Sequence, residues 1–168
     1  MRHSKSEFDI LFEGLKLGKH VYDFQINDEF FADIDYTLVE KANVQVNFLL
    51  DKKESMMVGT VQIEGTISGS CDRCTDEVSV NVSNNYDLIF KFTDEEAEDE
   101  NLIHIPSNEH AIKLKPILYE LINVMIPSRM LHEEGECNQE MLDLIQKYGQ
   151  KSESEEVDPR WKILKNKN

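Results

Sequence analysis

Cys71 and Cys74, two residues apart in Gly69-Ser70-Cys71-Asp72-Arg73-Cys74, are the side chains of this sequence best suited to chemistry. Two thiolates at this spacing can hold one metal ion from a tight turn, because zinc favours tetrahedral sets of sulfur and nitrogen ligands. A pair is half of such a set. His132 and Cys137, in Met130-Leu131-His132-Glu133-Glu134-Gly135-Glu136-Cys137, have the residue types for the other half, and the loop between them is long enough for both to turn inward. A zinc site closed by all four side chains would be structural, since no coordination position stays open for water. Two other readings of the same residues remain. The cysteines can be reduced thiols in a turn, with His132 a surface residue. Or they can form a redox couple, against which stand their position between strands and the acidic neighbours Asp72, Asp76 and Glu77, expected to favour the thiol over the thiolate.

Little else suggests a reaction. His3, His20, His104 and His110 have no ligand pattern around them, Gly59, Gly65 and Gly69 lie on a strand rather than in a phosphate loop, and no serine has a nucleophile-elbow setting. The acids are too many for any acid–base pair to be singled out. The chain therefore reads as non-enzymatic, with no small-molecule substrate. A second kind of site is suggested near the end, where the only tryptophan, Trp161, lies between Arg160 and Lys162 and is followed by Ile163 and Leu164. Arg160, Trp161, Lys162 and Leu164 combine an apolar anchor with positive charge, as binding hot spots do. They can dock on a partner protein, contact RNA together with Lys165 and Lys167, or fold back on the chain's own surface.

The elements that must position these residues follow from periodicity. Val44, Val46, Phe48 and Leu50 alternate along one strand, and Met57, Gly59, Val61, Ile63, Gly65 and Ile67 along the next. After the cysteine turn a third run carries Val78, Val80, Val82, Tyr86, Leu88, Phe90 and Phe92. Short polar connections make these an antiparallel meander with one buried face. An earlier strand near 21–24 and a short helix over 28–34 precede it. The covering layer is expected from two later helices. One runs from Pro116 through Ile117, Leu118, Leu121, Ile122 and Met125 to a stop before Pro127; the other has Asn138 as N-cap and ends at Gly149. The fold class is α+β, an antiparallel β-meander covered by C-terminal helices, with an acidic loop where six of the seven residues 94–100 are acids. We expect a single domain over 1–150 and a charged, flexible C-terminal tail over 151–168.

Charge narrows the partners. With 33 acidic and 18 basic residues the net charge is −15, which opposes wrapping nucleic acid with the general surface and favours a basic partner. The N-terminal stretch lacks the apolar run of a signal peptide, no window has the ~20 apolar residues of a membrane span, and three cysteines do not make a disulfide framework. A cytoplasmic location away from membranes is expected.

Taken in order, Gly69-Ser70-Cys71-Asp72-Arg73-Cys74 after a long strand, the acidic loop, the helix segment Lys115–Pro127, and the closing Asp158-Pro159-Arg160 with Ile163-Leu164 resemble the YceD family. These are small acidic proteins of bacteria and plastids named for accumulation of large-subunit ribosomal RNA. The family's Cys-x-Arg-Cys is matched by Cys71, Arg73 and Cys74, and its later His and Cys are similar to His132 and Cys137. Some relatives carry more cysteines after the helix, where this chain has Cys137 alone. The resemblance extends over about residues 15–168. It implies a role in ribosome biogenesis, through the large subunit or its RNA, and offers no catalytic residues. A basic ribosomal protein or an assembly intermediate is then the expected partner. The alternative is a small zinc-binding or thiol-redox protein built on Cys71 and Cys74.

Overall fold

Alternation of apolar and polar residues becomes, in the computed structural model, three long neighbouring strands: β3 (Lys41–Lys52), β4 (Met56–Ser70) and β5 (Glu77–Phe92). Residues 7–32, 34, 37–92, 102–106 and 108–149 are described. The acidic loop 94–100 and the tail 151–168, with Arg160, Trp161, Lys162 and Leu164, lie outside them.

The earlier elements are β1 (Asp9–Leu11), β2 (Gly18–Ile26) and α1 (Asp28–Phe31); the later ones are β6 (Leu102–Ile105), β7 (Ala111–Lys113), α2 (Leu114–Met125) and α3 (Gln139–Tyr148). A five-stranded sheet has the order β2-β3-β4-β5-β6. β3, β4 and β5 pair antiparallel as the expected meander, β2 adds to it antiparallel beside β3, and β6 runs parallel to β5. A separate antiparallel pair, β1 with β7, was not evident in the sequence. Strands this short carry too few residues to display a period.

Register places the alternating apolar residues on one face. Phe48 lies opposite Val61, Leu50 opposite Gly59, and Gly59 opposite Leu88. Val44, Val46, Phe48, Leu50, Met57, Val61, Ile63 and Phe90 are fully enclosed. Glycine at 59 makes room for the Phe48 and Phe90 rings, which meet edge to face with centroids 6.3 Å apart. A methyl group there would come within 2.5 Å of the Phe48 ring. At Gly65 the added carbon would meet Asn43 O and Val44 Cα of the neighbouring strand.

The cover over this face comes chiefly from α2, which buries Leu114, Leu118 and Ile122 at i, i+4 and i+8. The helix starts two residues before Pro116, leaving the proline in the first turn, where its missing N–H would have had no intrahelical partner. It stops where expected, because Pro127 biases Ile126 to extended backbone (ψ 125). α3 also has the expected ends. Asn138 caps it, accepting from Glu140 N and Met141 N, and Gly149 closes it onto Ile145 O. It buries no residue fully; Met141 and Leu142 rest half-buried against a second, smaller apolar cluster containing the three cysteines.

Candidate metal centre

The chain between Ser70 and Glu77 reverses direction in a hydrogen-bonded knuckle. Cys71 N donates to Asp76 O (2.8 Å), Thr75 N to Cys71 O (2.9 Å) and Arg73 N to Cys71 Sγ (3.4 Å). Thr75 completes the turn at φ 64, the one positive φ at a non-glycine among the described residues. The result buries both thiols, Cys71 at 1% and Cys74 at 0% exposure.

The other half of the cluster is held against the knuckle by its polar groups. Asp72 N donates to Met130 O (2.8 Å) while Met130 N donates to the Asp72 carboxylate (2.7 Å). That reciprocal pair fixes the chain two residues before His132. Asn138, besides capping α3, donates from Nδ2 to the Asp76 carboxylate (3.2 Å), fixing the chain one residue after Cys137. His132 Nε2 donates to Glu77 O at 2.9 Å, since a carbonyl can only accept. The neutral ring then presents the Nδ1 lone pair to Cys74 Sγ at 3.4 Å and Cys137 Sγ at 4.0 Å.

The ligand atoms of Cys71, Cys74, His132 and Cys137 thus all lie within 4.8 Å of one another. A tetrahedral zinc site needs ligand separations of about 3.8 Å between sulfurs and about 3.5 Å between sulfur and nitrogen, given Zn–S and Zn–N lengths of about 2.3 and 2.05 Å. The Cys74–His132 edge is already of this length, and side-chain shifts of about 1 Å or less would close the rest. Donor types, burial and the backbone bond that sets the histidine tautomer fit a metal ion. These residues could hold one.

Electrostatics inside the cluster are strained among the thiols themselves. Burial pushes the Cys71 thiol up, but hydrogen bonds from the Cys74, Arg73 and His132 backbone, and from the His132 ring once it is protonated, outweigh it, leaving Cys71 lowered to about 6. His132 is raised, first by its bond to Cys71. Cys137 is raised by burial and then by the two neighbouring thiols. The expectation that Asp72, Asp76 and Glu77 would keep Cys71 in the thiol form is therefore corrected. The Asp72 and Asp76 carboxylates accept from Met130 N and Asn138 Nδ2, and Glu77 pairs with Lys41, while the local N–H groups face the sulfur.

Residue types and spacing had singled out the four possible ligands and had missed what supports them. Asp72 serves as a clasp, and Arg73 places Nη1 3.8 Å from Cys137 Sγ, setting a positive charge beside the thiols. Its place in the Cys-x-Arg-Cys pattern was the signal available, without the contact to Cys137.

A protein-family model described as "Large ribosomal RNA subunit accumulation protein YceD" matches residues 59–166, more than half of the chain. The chain belongs to the YceD family. No curated protein and no solved structure matches it significantly. The YceD match begins at Gly59 inside β4, so β1, β2 and β3 precede it, and a span expected from about residue 15 is narrower at its start. All four possible ligands fall within the YceD span, which continues beyond α3 through Trp161. The family description concerns large-subunit ribosomal RNA and names no reaction. Among the described residues no helix is long and apolar enough to cross a membrane.

Proposed function

We propose that the protein is a non-enzymatic, cytoplasmic ribosome biogenesis factor that supports accumulation of large-subunit ribosomal RNA by binding a basic ribosomal protein or an assembly intermediate. The observation that carries this reading is the YceD match over residues 59–166. The net charge of −15 supplies the sign of the partner, because such a field attracts a basic protein and repels an RNA backbone. In this reading residues 1–150 form the body. Arg160, Trp161, Lys162 and Leu164 add a partner contact from the tail 151–168, where RNA could also be touched. Retrieval of the tagged protein is expected to recover large-subunit proteins or precursors, and its deletion to lower the ratio of large- to small-subunit ribosomal RNA. Recovery of no ribosomal component, with an unchanged ratio, overturns the proposal.

Cys71, Cys74, His132 and Cys137 are proposed to hold a structural zinc ion that ties the β4–β5 turn to the segment after α2. Support comes from the closeness of their ligand atoms and the orientation of His132. Elemental analysis should give one zinc per chain, with the thiols protected from titration until a chelator is added. The lowered Cys71 thiol favours the rival redox reading. That reading requires a metal-free protein whose Cys71–Cys74 disulfide forms and breaks at a biological potential.

A further inference from the structure

The apolar stripe of α3 runs beyond the cluster on which the helix rests. Met141 and Leu142 pack on the cluster of Cys71, Cys74, Val78, Met130 and Cys137. Further along the same stripe, at helical spacing, Leu144, Ile145 and Tyr148 are 47%, 45% and 72% exposed. α3 has 10 residues and buries none of them fully, and a helix this short is marginal without a packed face. The surface around it is acidic. Glu133, Glu134, Glu136, Glu140 and Asp143 are exposed, and over 133–148 the only basic residue to offset them is Lys147. A segment with the complementary pattern follows in the same chain, outside the described residues: 160–167 carries Arg160, Lys162, Lys165 and Lys167 and no acid, interleaved with Trp161, Ile163 and Leu164. Ten residues, 150–159, join it to Gly149. Such a connection spans at most about 36 Å, more than twice the ~15 Å length of α3, so it is long enough to turn back over the helix and too short to go far from it. The YceD match also continues past α3 to residue 166.

We propose that residues 160–165 of the chain's own tail dock on the outer turns of α3, with Trp161 and Leu164 against Leu144, Ile145 and Tyr148, and with Arg160, Lys162 and Lys165 beside the acids of 133–143. A separate basic protein would match the same charge, but the tail is tethered. A short connection sets an effective concentration of about millimolar, so even a weak apolar contact is populated within one chain. Opposite charge beside the stripe adds to the apolar contact and opposes docking of the acidic stretch Glu153, Glu155, Glu156 and Asp158 in its place. The placement goes beyond the proposed function and needs no ribosomal component. Its consequence for that function is that Trp161, proposed as an anchor for the partner, is held on the chain's own surface until a partner displaces it.

Trp161 is the only tryptophan, so the fluorescence of the full chain reads the tail directly. Acrylamide quenching of the full chain is compared with that of a peptide of residues 151–168, which serves as the undocked reference. The full chain is expected to be quenched severalfold less steeply than the peptide, and the Trp161 indole to give nuclear Overhauser contacts to the Leu144 and Ile145 methyl groups. The double variant Leu144→Ser, Ile145→Ser changes two exposed side chains and should raise quenching to the level of the peptide, whereas Val124→Ser, at an exposed apolar residue of α2, should leave it unchanged. Leu164→Ser alters nothing in the body and should act as the double variant does, which separates loss of docking from a loosened α3. Peptide-like quenching of the wild-type chain, protection that survives both the double variant and Leu164→Ser, or protection lost on dilution, which places the tail on a second copy, overturns the proposal. None of these outcomes touches the proposed function, and failure to recover a ribosomal component leaves the docked tail standing.

Discussion

Arg73 stands where a Cys3His zinc site lacks a counter-charge. Three thiolates and one zinc ion sum to −1, and the Arg73 guanidinium lies 3.8 Å from Cys137 Sγ while its backbone N–H serves Cys71 Sγ. Arg73→Ala leaves the backbone donor and removes the charge, so zinc should still bind but roughly tenfold or more weakly, as for other outer-sphere partners. Competition against a chromophoric chelator measures this, and unchanged affinity would mean that the guanidinium contributes nothing. Thr75 is a second test at this scale. A β-branched residue at φ 64 carries strain of about 1–2 kcal/mol, partly offset by its Oγ1–Cys74 O bond of 2.6 Å. Thr75→Gly relieves the strain but frees the unfolded chain by roughly 0.5–1 kcal/mol, so denaturant unfolding should shift by less than about 1 kcal/mol. Thr75→Pro removes the N–H that reaches Cys71 O and cannot adopt φ 64, so it should abolish zinc retention.

At the scale of elements, the two C-terminal helices look alike in sequence and differ in what they hold. Leu118 on α2 is fully enclosed, whereas Leu144 on α3 is 47% exposed. Leu118→Ala should cost about 2–5 kcal/mol in denaturant unfolding and Leu144→Ala well under 1 kcal/mol. Similar costs would mean that α3 also builds the main core. The same difference predicts the result of zinc removal. Among the described residues α3 packs, through Met141 and Leu142, against the small cluster of Cys71, Cys74, Val78, Met130 and Cys137, and none of its residues joins the main core. Chelation should therefore abolish amide protection over Gln139–Tyr148 while β3, β4 and β5 keep theirs; simultaneous loss of all would show a single cooperative unit. Periodicity made the long strands and α2 legible, because burial on one face imposes a repeat that residues such as Val44, Val46 and Phe48 display, and the capping residues Asn138 and Gly149 marked both ends of α3. β6, β1 and β7 were not legible. Their partners come from distant sequence, and three or four residues hold no repeat. The ligand types could be read at Cys71, Cys74, His132 and Cys137, but the Asp72–Met130 clasp could not, since nothing local marks a carboxylate for a backbone N–H 58 positions away.

For the whole molecule, the −15 charge makes separable predictions for the two kinds of partner. A basic protein attracted by the summed field should associate fast at low ionic strength. Raising salt shortens the screening length from roughly 30 Å at 0.01 M to 10 Å at 0.1 M, beyond which charges on opposite sides of the interface no longer steer the encounter. The association rate should then fall tenfold or more, while dissociation, governed by short-range contacts across the interface, changes much less. Direct RNA binding would look different. The body repels phosphate, so affinity would depend on Arg160, Lys162, Lys165 and Lys167 in the tail and should vanish when residues 151–168 are removed. Stopped-flow association with large-subunit proteins across a salt series, for the full chain and for the form truncated after Gln150, separates the two. If the body is the electrostatic surface, truncation removes Lys151, Arg160, Lys162, Lys165 and Lys167 together with Glu153, Glu155, Glu156 and Asp158, nearly cancelling charges, and leaves the salt slope nearly intact. A slope that disappears with the tail would move the binding surface from the acidic body to the basic end.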